Sequence, residues 1–255
     1  MIVYRSAVDV LHELGITEPS EIDVEAIAFH CGAEVQRAPL KGCSAHIIGY
    51  GDRAVITVDA RSPEPRQRFS IGHEVGHWVL HRGRALSCSQ RDIDKPWSAL
   101  DPEALASSFA ADLLMPPFLF APRIEGKAVS FDTVDRLAAE FSVSRSASAL
   151  RIVTLGSYDS MVLCSNKGGV EWFRGSKRVD RNIWPHQQLS RDSEAWDILH
   201  GGKPSSRPVT VTADDWVDHK DAAQYELLEQ SVLYGDGVLT LLWWKDPSMI
   251  DELVG

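Results

Sequence analysis

Arg66-Gln-Arg-Phe-Ser-Ile-Gly-His-Glu-Val-Gly-His-Trp-Val-Leu-His81 is the stretch that decides the fold. No proline interrupts it, and its apolar residues suit a buried helix. Within it, His73, Glu74 and His77 form an H-E-x-x-H pattern, and residues four apart share one face of a helix. Two imidazoles on that face can hold one metal ion, while Glu74 reaches a water beside the metal. The arrangement is typical of a zinc hydrolase.

The competing interpretation is a solvated helix face that happens to carry these residues. Gly76 argues against it, because glycine inside a helix costs up to about 1 kcal/mol relative to alanine. A buried helix accepts that cost where another backbone must come close. His81 lies on nearly the same stripe but about 12 Å along the axis from His73, so we interpret it as a C-terminal residue that suits the helix dipole.

The composition is that of a soluble globular protein of one large or two modest domains, with 255 residues, 44% hydrophobic and 24% charged. The formal net charge of −10 argues against a protein that coats nucleic acid generally, although a local basic patch remains open. Neither a signal peptide nor a run long enough to span a membrane is present. The four cysteines form no C-x-x-C pair, so we expect a cytoplasmic protein with reduced thiols.

Around the motif, the pattern predicts short helices over 4–14 and 23–31, the second with Asp23 as its N-cap. Short β-branched runs between residues 34 and 58, broken by glycine, predict a small antiparallel sheet with a hairpin. Such a sheet beside the motif helix would offer an edge to which an extended peptide substrate adds as a strand.

A second helix begins at Asp101-Pro102-Glu103, with an N-cap aspartate and a proline in the first turn. Glu103 sits at the polar end of a stripe of mostly small residues that includes Ser107. Two interpretations remain open from spacing alone. Glu103 either complements the helix dipole or completes a His-His-Glu metal site, with Ser107 supporting a ligand from behind.

Residues 130–151 predict two short helices about a turn, similar to a helix-turn-helix. Either the second helix reads DNA or both helices pack to complete the first domain. The second helix carries only Arg145 and Arg151 as cations, which favours packing.

After residue 156 strand-like runs return, so we predict a first domain over 1–156 and a sheet-centred second domain over 157–255. Basic and aromatic residues interleave there, and they either form a platform for single-stranded nucleic acid or a solvated loop beside core aromatics. The candidate nucleic-acid contacts are Arg174, Lys177, Arg178, Arg181 and Trp184.

The first domain resembles the ImmA/IrrE metallopeptidases, through the stretch from Arg68 to His81 and the stretch from Glu103 to Pro116. The resemblance covers about residues 5–155. It implies an α+β fold with a zincin-like domain of a small sheet and a helical bundle, and one Zn²⁺ per chain held by His73, His77 and Glu103. Glu74 is then the catalytic residue. The family usually has Asn or Asp four residues after the third ligand, where this chain has Ser107.

Members of that family cleave a helix-turn-helix repressor, often encoded next door, and so derepress stress or phage-defence genes. The second domain resembles the GAF-like sensor of the IrrE branch. The segment from Leu86 to Asp92 is similar to the branch associated with CBASS phage-defence operons. That likeness implies that single-stranded DNA stimulates cleavage and that Cys88 can serve as an inhibitory fourth metal ligand. The alternative for Cys88 is a plain buried thiol. The alternatives are a DNA-binding regulator with a structural metal and a ligand sensor with a vestigial metal site.

Overall fold

Two compact units make up the protein in a computed structural model, which describes residues 5–81, 101–179 and 183–254. The first unit contains the described residues up to Phe120 together with Ala138–Ser144, and the second contains Ala121–Leu137 and the described residues from Arg145 onward. The units confirm the predicted mixed α+β class. The domain boundary after residue 156 stays a prediction.

Two short capped helices open the first unit. Helix α1 (Ala7–Glu13) begins after Ser6, whose hydroxyl accepts the N–H of Asp9, and it is shorter than the predicted 4–14. Helix α2 (Val24–His30) has the predicted N-cap, since the Asp23 carboxylate accepts the N–H groups of two first-turn residues. Each cap satisfies N–H groups that a helix start leaves unpaired.

A three-stranded sheet follows, with strands β1 (Ala33–Ala38), β2 (Ala45–Tyr50) and β3 (Arg53–Asp59) in the order β1-β3-β2. Strands β2 and β3 form the predicted hairpin, which turns through Gly51 at φ 62°. The prediction of a wholly antiparallel sheet is wrong, because β1 pairs parallel to β3. Strand β3 lies between β1 and β2, which leaves β2 on the outside of the sheet. Runs of β-branched residues predict strands, but they do not predict which strands become neighbours.

The motif helix α3 (Glu64–His81) lies between this sheet and helix α4 (Pro102–Leu114). Gly76 permits the close approach, since a Cβ there would lie 3.0 Å from both the Cα and the carbonyl oxygen of Ala106. On the sheet side, the Trp78 indole N–H donates to the Cys31 carbonyl at 2.9 Å. Helix α5 (Pro117–Ile124) comes next. No single described helix is both long and apolar enough to cross a membrane; α4 and α5 reach that length only together, across a 64° bend.

The second unit is built on a five-stranded antiparallel sheet. Helix α6 (Phe131–Glu140) begins in this unit, and helix α7 (Arg145–Leu155) leads into the sheet. The elements that follow are β4 (Ser160–Asn166), β5 (Gly169–Gly175), α8 (Glu194–Leu199), β6 (Val209–Thr212), β7 (Glu226–Tyr234), β8 (Gly237–Trp243) and α9 (Ser248–Val254). The strand order in the sheet is β5-β4-β8-β7-β6. One face of the sheet carries an apolar core that includes Met161, Trp216 and Leu242.

Helix α7, the second helix of the helix-turn-helix-like segment, packs against β4 and β5. Its buried side chains are Ser148, Ala149, Ile152 and Val153. Arg145, at its start, donates two hydrogen bonds to the Asp135 carboxylate at 2.6 and 2.9 Å. The helix therefore buries its apolar face against the sheet of the second unit. The packing interpretation had placed this helix in the first domain, and the sequence pattern did not show that its partner would be the second sheet.

Candidate metal centre

Two helices bring together the three side chains predicted to hold a metal. Helix α3 supplies His73 and His77, and the first turn of α4 supplies Glu103. The Nε2 atoms of His73 and His77 lie 3.0 Å apart. The Glu103 carboxylate lies 3.2 Å from His73 Nε2 through Oε2 and 3.3 Å from His77 Nε2 through Oε1. One ligand atom from each side chain lies within 4.8 Å of the others.

This set of donors fits a divalent metal ion of the zinc type. Two imidazole nitrogens and one carboxylate oxygen are the protein ligands that catalytic zinc sites use, with one position left for water or substrate. Burial and the neighbouring His73 lower the pKa of His77 to about 4. His77 is therefore neutral at physiological pH, which is the form that binds a metal.

The outer nitrogens of both histidines also have partners. The Nδ1 atom of His73 lies 3.2 Å from the Ser107 hydroxyl, and the Nδ1 atom of His77 lies 3.3 Å from Nδ1 of His81. Such contacts fix a ring's orientation and leave Nε2 facing the metal. Ser107 is thus in contact with one of the proposed ligands, and its supporting role stays a prediction.

The contact of His81 with His77 was missed, because sequence reasoning assigned His81 only to the helix dipole. The sequence did carry a signal. His81 follows His77 by four residues, so the two rings share one face of the helix, and His81 is 7% exposed. Distance from His73 ruled it out as a ligand, but not as a partner of a ligand.

Glu74 follows His73 directly in α3, and its carboxylate is close enough to Glu103 to be affected by that residue's charge. The side chain is 2% exposed, and within the described chain its buried Oε2 has no hydrogen-bond partner. Burial and the negative charge of Glu103 raise the pKa of Glu74 to about 8. A buried carboxylate with a high pKa and a free oxygen is equipped to exchange a proton with a nearby water.

The other predicted site residues are less informative. Cys88 and Arg181 lie outside the described residues. Arg178 bonds to the carboxylates of Asp159, at 3.0 Å, and Asp251, so its charge is matched within the protein. Trp184 is 63% exposed, and its ring meets Phe173 edge-on with centroids 5.6 Å apart. One exposed aromatic ring is therefore present, and the nucleic-acid role of this patch stays a prediction.

Comparisons with known proteins agree with this geometry. Residues 30–153 match the family model described as the IrrE N-terminal-like domain, Peptidase M78. The solved structure of a Mycobacterium tuberculosis transcriptional regulator resembles the chain with a TM-score of 0.57, over 97% of this chain and 76% of that one. Its sequence identity is 15%, so the likeness concerns the fold. No curated protein sequence matches the chain significantly.

Proposed function

Because residues 30–153 belong to the IrrE N-terminal-like family of zinc-dependent peptidases, we propose that the protein is an active zinc endopeptidase that cleaves a helix-turn-helix repressor. The family supplies the class of enzyme. The activity of this chain, its metal and its substrate are the proposal.

The observation that carries the proposal is the meeting of His73, His77 and Glu103 beside a carboxylate that is not a ligand. A structural zinc site usually has four protein ligands and needs no base nearby. Here three side chains converge, and Glu74 keeps a free oxygen. This combination favours a catalytic centre over a structural or vestigial one.

A zinc ion held by these three side chains would supply Lewis-acid chemistry, polarising the scissile carbonyl and the attacking water. Glu74 takes a proton from that water at Oε2 as the water attacks the carbonyl carbon of the peptide bond. It then delivers the proton to the leaving amide nitrogen. Ser107 and His81 hold the rings of His73 and His77 in place through their Nδ1 atoms.

The finer parts of the proposal concern regulation and location. We propose that the second unit is a GAF-like sensor and that the protein works in the cytoplasm to derepress stress or phage-defence genes. Single-stranded DNA is the proposed stimulus, received at Lys177, Trp184 and the neighbouring basic residues. The exposed Trp184 ring and the exposed Lys177 side chain support this stimulus. The pairing of Arg178 with carboxylates weighs against it.

Co-expression tests the proposal directly. The chain would be produced with the helix-turn-helix repressor encoded beside its gene, and the repressor's mass would be measured with and without added single-stranded DNA. We expect a shortened repressor with the wild type and an intact one with Glu74→Gln, which removes the base but none of the metal ligands. Equal cleavage by both proteins would remove Glu74 from the mechanism, and an intact repressor in every case would refute this substrate.

A further inference from the structure

Three polar side chains on one stripe of α3 hold buried atoms that bond to nothing in the described part of the chain. They are Arg66 Nη2, Ser70 Oγ and Glu74 Oε2, and we call them the polar stripe. Positions 66, 70 and 74 follow each other at four-residue intervals, so they lie along one face of the helix. Ser70 is 1% exposed and Glu74 2%. Buried polar atoms are normally paired, so a row of unpaired ones that ends at the proposed base points to a ligand.

The polar stripe runs beside strand β2. Arg66 Nε lies 3.4 Å from the hydroxyl of Ser44, just before β2 begins. At the other end Trp78, one turn beyond Glu74, lies against Gly49 near the end of β2. Helix α3 and strand β2 therefore run side by side in the same direction. Among the described strands, β2 is at an edge of its sheet, with only β3 as a neighbour.

We propose that the polar stripe reads the substrate: Ser70 binds its backbone, and Arg66 binds an acidic side chain at the third or fourth residue beyond the cleaved bond. The inference rests on the proposed endopeptidase function and names its substrate class. A rise of about 1.5 Å per helical residue places Ser70 about 6 Å and Arg66 about 12 Å along the axis from Glu74. An extended peptide advances about 3.3 Å per residue, so these distances correspond to about two and about three to four substrate residues.

The direction of the substrate follows from the edge strand. Antiparallel pairs are more common and slightly more stable than parallel ones. A peptide antiparallel to β2 runs from the Trp78 end toward the Arg66 end. Residues on the C-terminal side of the cleaved bond then pass Ser70 and Arg66. Arg66 carries a planar cation with paired donors, which matches a carboxylate. The substrate class is therefore a polypeptide with Asp or Glu on that side.

Ser70→Ala separates a substrate-binding role from a structural one. If Ser70 serves the substrate, removing its unpaired hydroxyl should leave the melting temperature of the free protein unchanged or higher. The same change should lower kcat/KM about tenfold, the usual effect of losing one hydrogen bond. A lower melting temperature with unchanged kcat/KM would overturn the role assigned to Ser70.

A charge reversal at Arg66 tests the specificity. A library of peptides from an unrelated proteome would be digested with the zinc-loaded full chain, and the cleaved sites identified by mass spectrometry. We expect Asp and Glu to be enriched at the third or fourth position after the cut. Arg66→Glu should replace that preference with one for Lys and Arg, whereas Arg207→Glu, an exposed arginine in the second unit, should keep it.

Binding provides a readout that does not depend on turnover. The best-cleaved peptide and its Asp→Asn counterpart would be titrated against Glu74→Gln protein by fluorescence anisotropy, with and without Arg66→Gln. We expect the acidic peptide to bind about tenfold more tightly only when Arg66 is present. Cleavage by the wild type without an acidic preference, or an unchanged preference in Arg66→Glu, would overturn this inference alone. No cleavage of any peptide would overturn the endopeptidase proposal and this inference with it.

Discussion

Glu74 has the ordinary chemistry of a carboxylic acid in an unusual place. Water stabilises the charge of an exposed glutamate, but Glu74 is buried, and the Glu103 carboxylate adds a like charge nearby. Both effects favour the protonated form of Glu74 in the metal-free protein. A bound cation would favour the ionised form, which is the one that acts as a base.

This pKa makes the stability of the metal-free protein depend on pH. Between the ordinary pKa of 4.5 and the folded value of about 8, the folded chain keeps a proton that the unfolded chain has released. The contribution of Glu74 to the free energy of unfolding therefore falls as the pH rises through that window, and comparison with Glu74→Gln separates it from the opposite contribution of His77 below pH 6.5. We expect Glu74→Gln to stabilise the metal-free protein at pH 8, by on the order of a few kcal/mol, and to do little at pH 4.5. Urea denaturation in the presence of a chelator measures both values, and equal effects at the two pH values would contradict the assignment.

His81 and Ser107 contact the two histidines proposed to bind the metal, and we propose that they support metal binding through those contacts. We expect His81→Ala and Ser107→Ala each to weaken zinc binding about 10- to 100-fold, as loss of such outer contacts typically does. Competition with a chromophoric chelator measures the affinity. His200→Ala is a matched control, because His200 also closes a helix, α8, but lies in the second unit. An unchanged zinc affinity in His81→Ala would mean that His81 serves only as a residue at the end of its helix.

At the scale of elements, the three proposed metal ligands come together because α4 can approach α3 closely. Gly76→Ala would place a Cβ 3.0 Å from the backbone of Ala106, so α4 must move and carry Glu103 with it. We expect a loss of about 1–3 kcal/mol in the free energy of unfolding, together with weaker zinc binding. Gly72→Ala is the control, because its new Cβ would meet its nearest neighbour, Ala110 Cβ, at 3.4 Å. Chemical denaturation should show Gly72→Ala as neutral or stabilising, since alanine favours helix; equal losses in both variants would contradict this account of Gly76.

The sequence around helix α7 resembles a helix-turn-helix, but this resemblance does not make α7 a DNA-reading helix. A DNA-reading helix tolerates charge on its outer face, but Ala149 is fully buried. We expect Ala149→Asp to destabilise the second unit by several kcal/mol, because a charge would be buried without a partner. Thr154→Asp, at an exposed position of the same helix, should have little effect. A stable Ala149→Asp protein would mean that this face is free, and the DNA-reading interpretation would return.

These elements also show what a sequence can predict. The motif helix and the Asp101 cap could be predicted, because each depends on spacing within one helix or on a local cap. The Ser107 contact joins two helices, and the sequence suggested it only on the assumption that Glu103, one turn earlier, faces the histidines of the motif. The parallel pairing of β1 with β3 and the packing of α7 on the second sheet could not be derived in the same way. They depend on which distant segments become neighbours, and hydrophobic periodicity does not specify that. His81 is an intermediate case. Its four-residue spacing from His77 was visible in the sequence, but the residue was assigned only to the helix dipole.

At the scale of the whole molecule, the fold and the site rest on different observations. The likeness to a solved regulator extends over 97% of the chain, which includes both units. The family match covers residues 30–153 and includes all three proposed ligands. The fold of both units therefore resembles that of a solved protein, while the proposed chemistry depends on two helices of the first unit.

The zinc content of the intact protein tests the central claim most directly. Native mass spectrometry would compare the wild type, Glu74→Gln and Glu103→Gln after incubation with equal amounts of zinc and removal of the excess. We predict one zinc ion in the wild type and in Glu74→Gln, and a large loss in Glu103→Gln, because only the last variant lacks a ligand. A wild type without zinc, or a Glu103→Gln protein that retains a full equivalent, would contradict the His73, His77 and Glu103 centre.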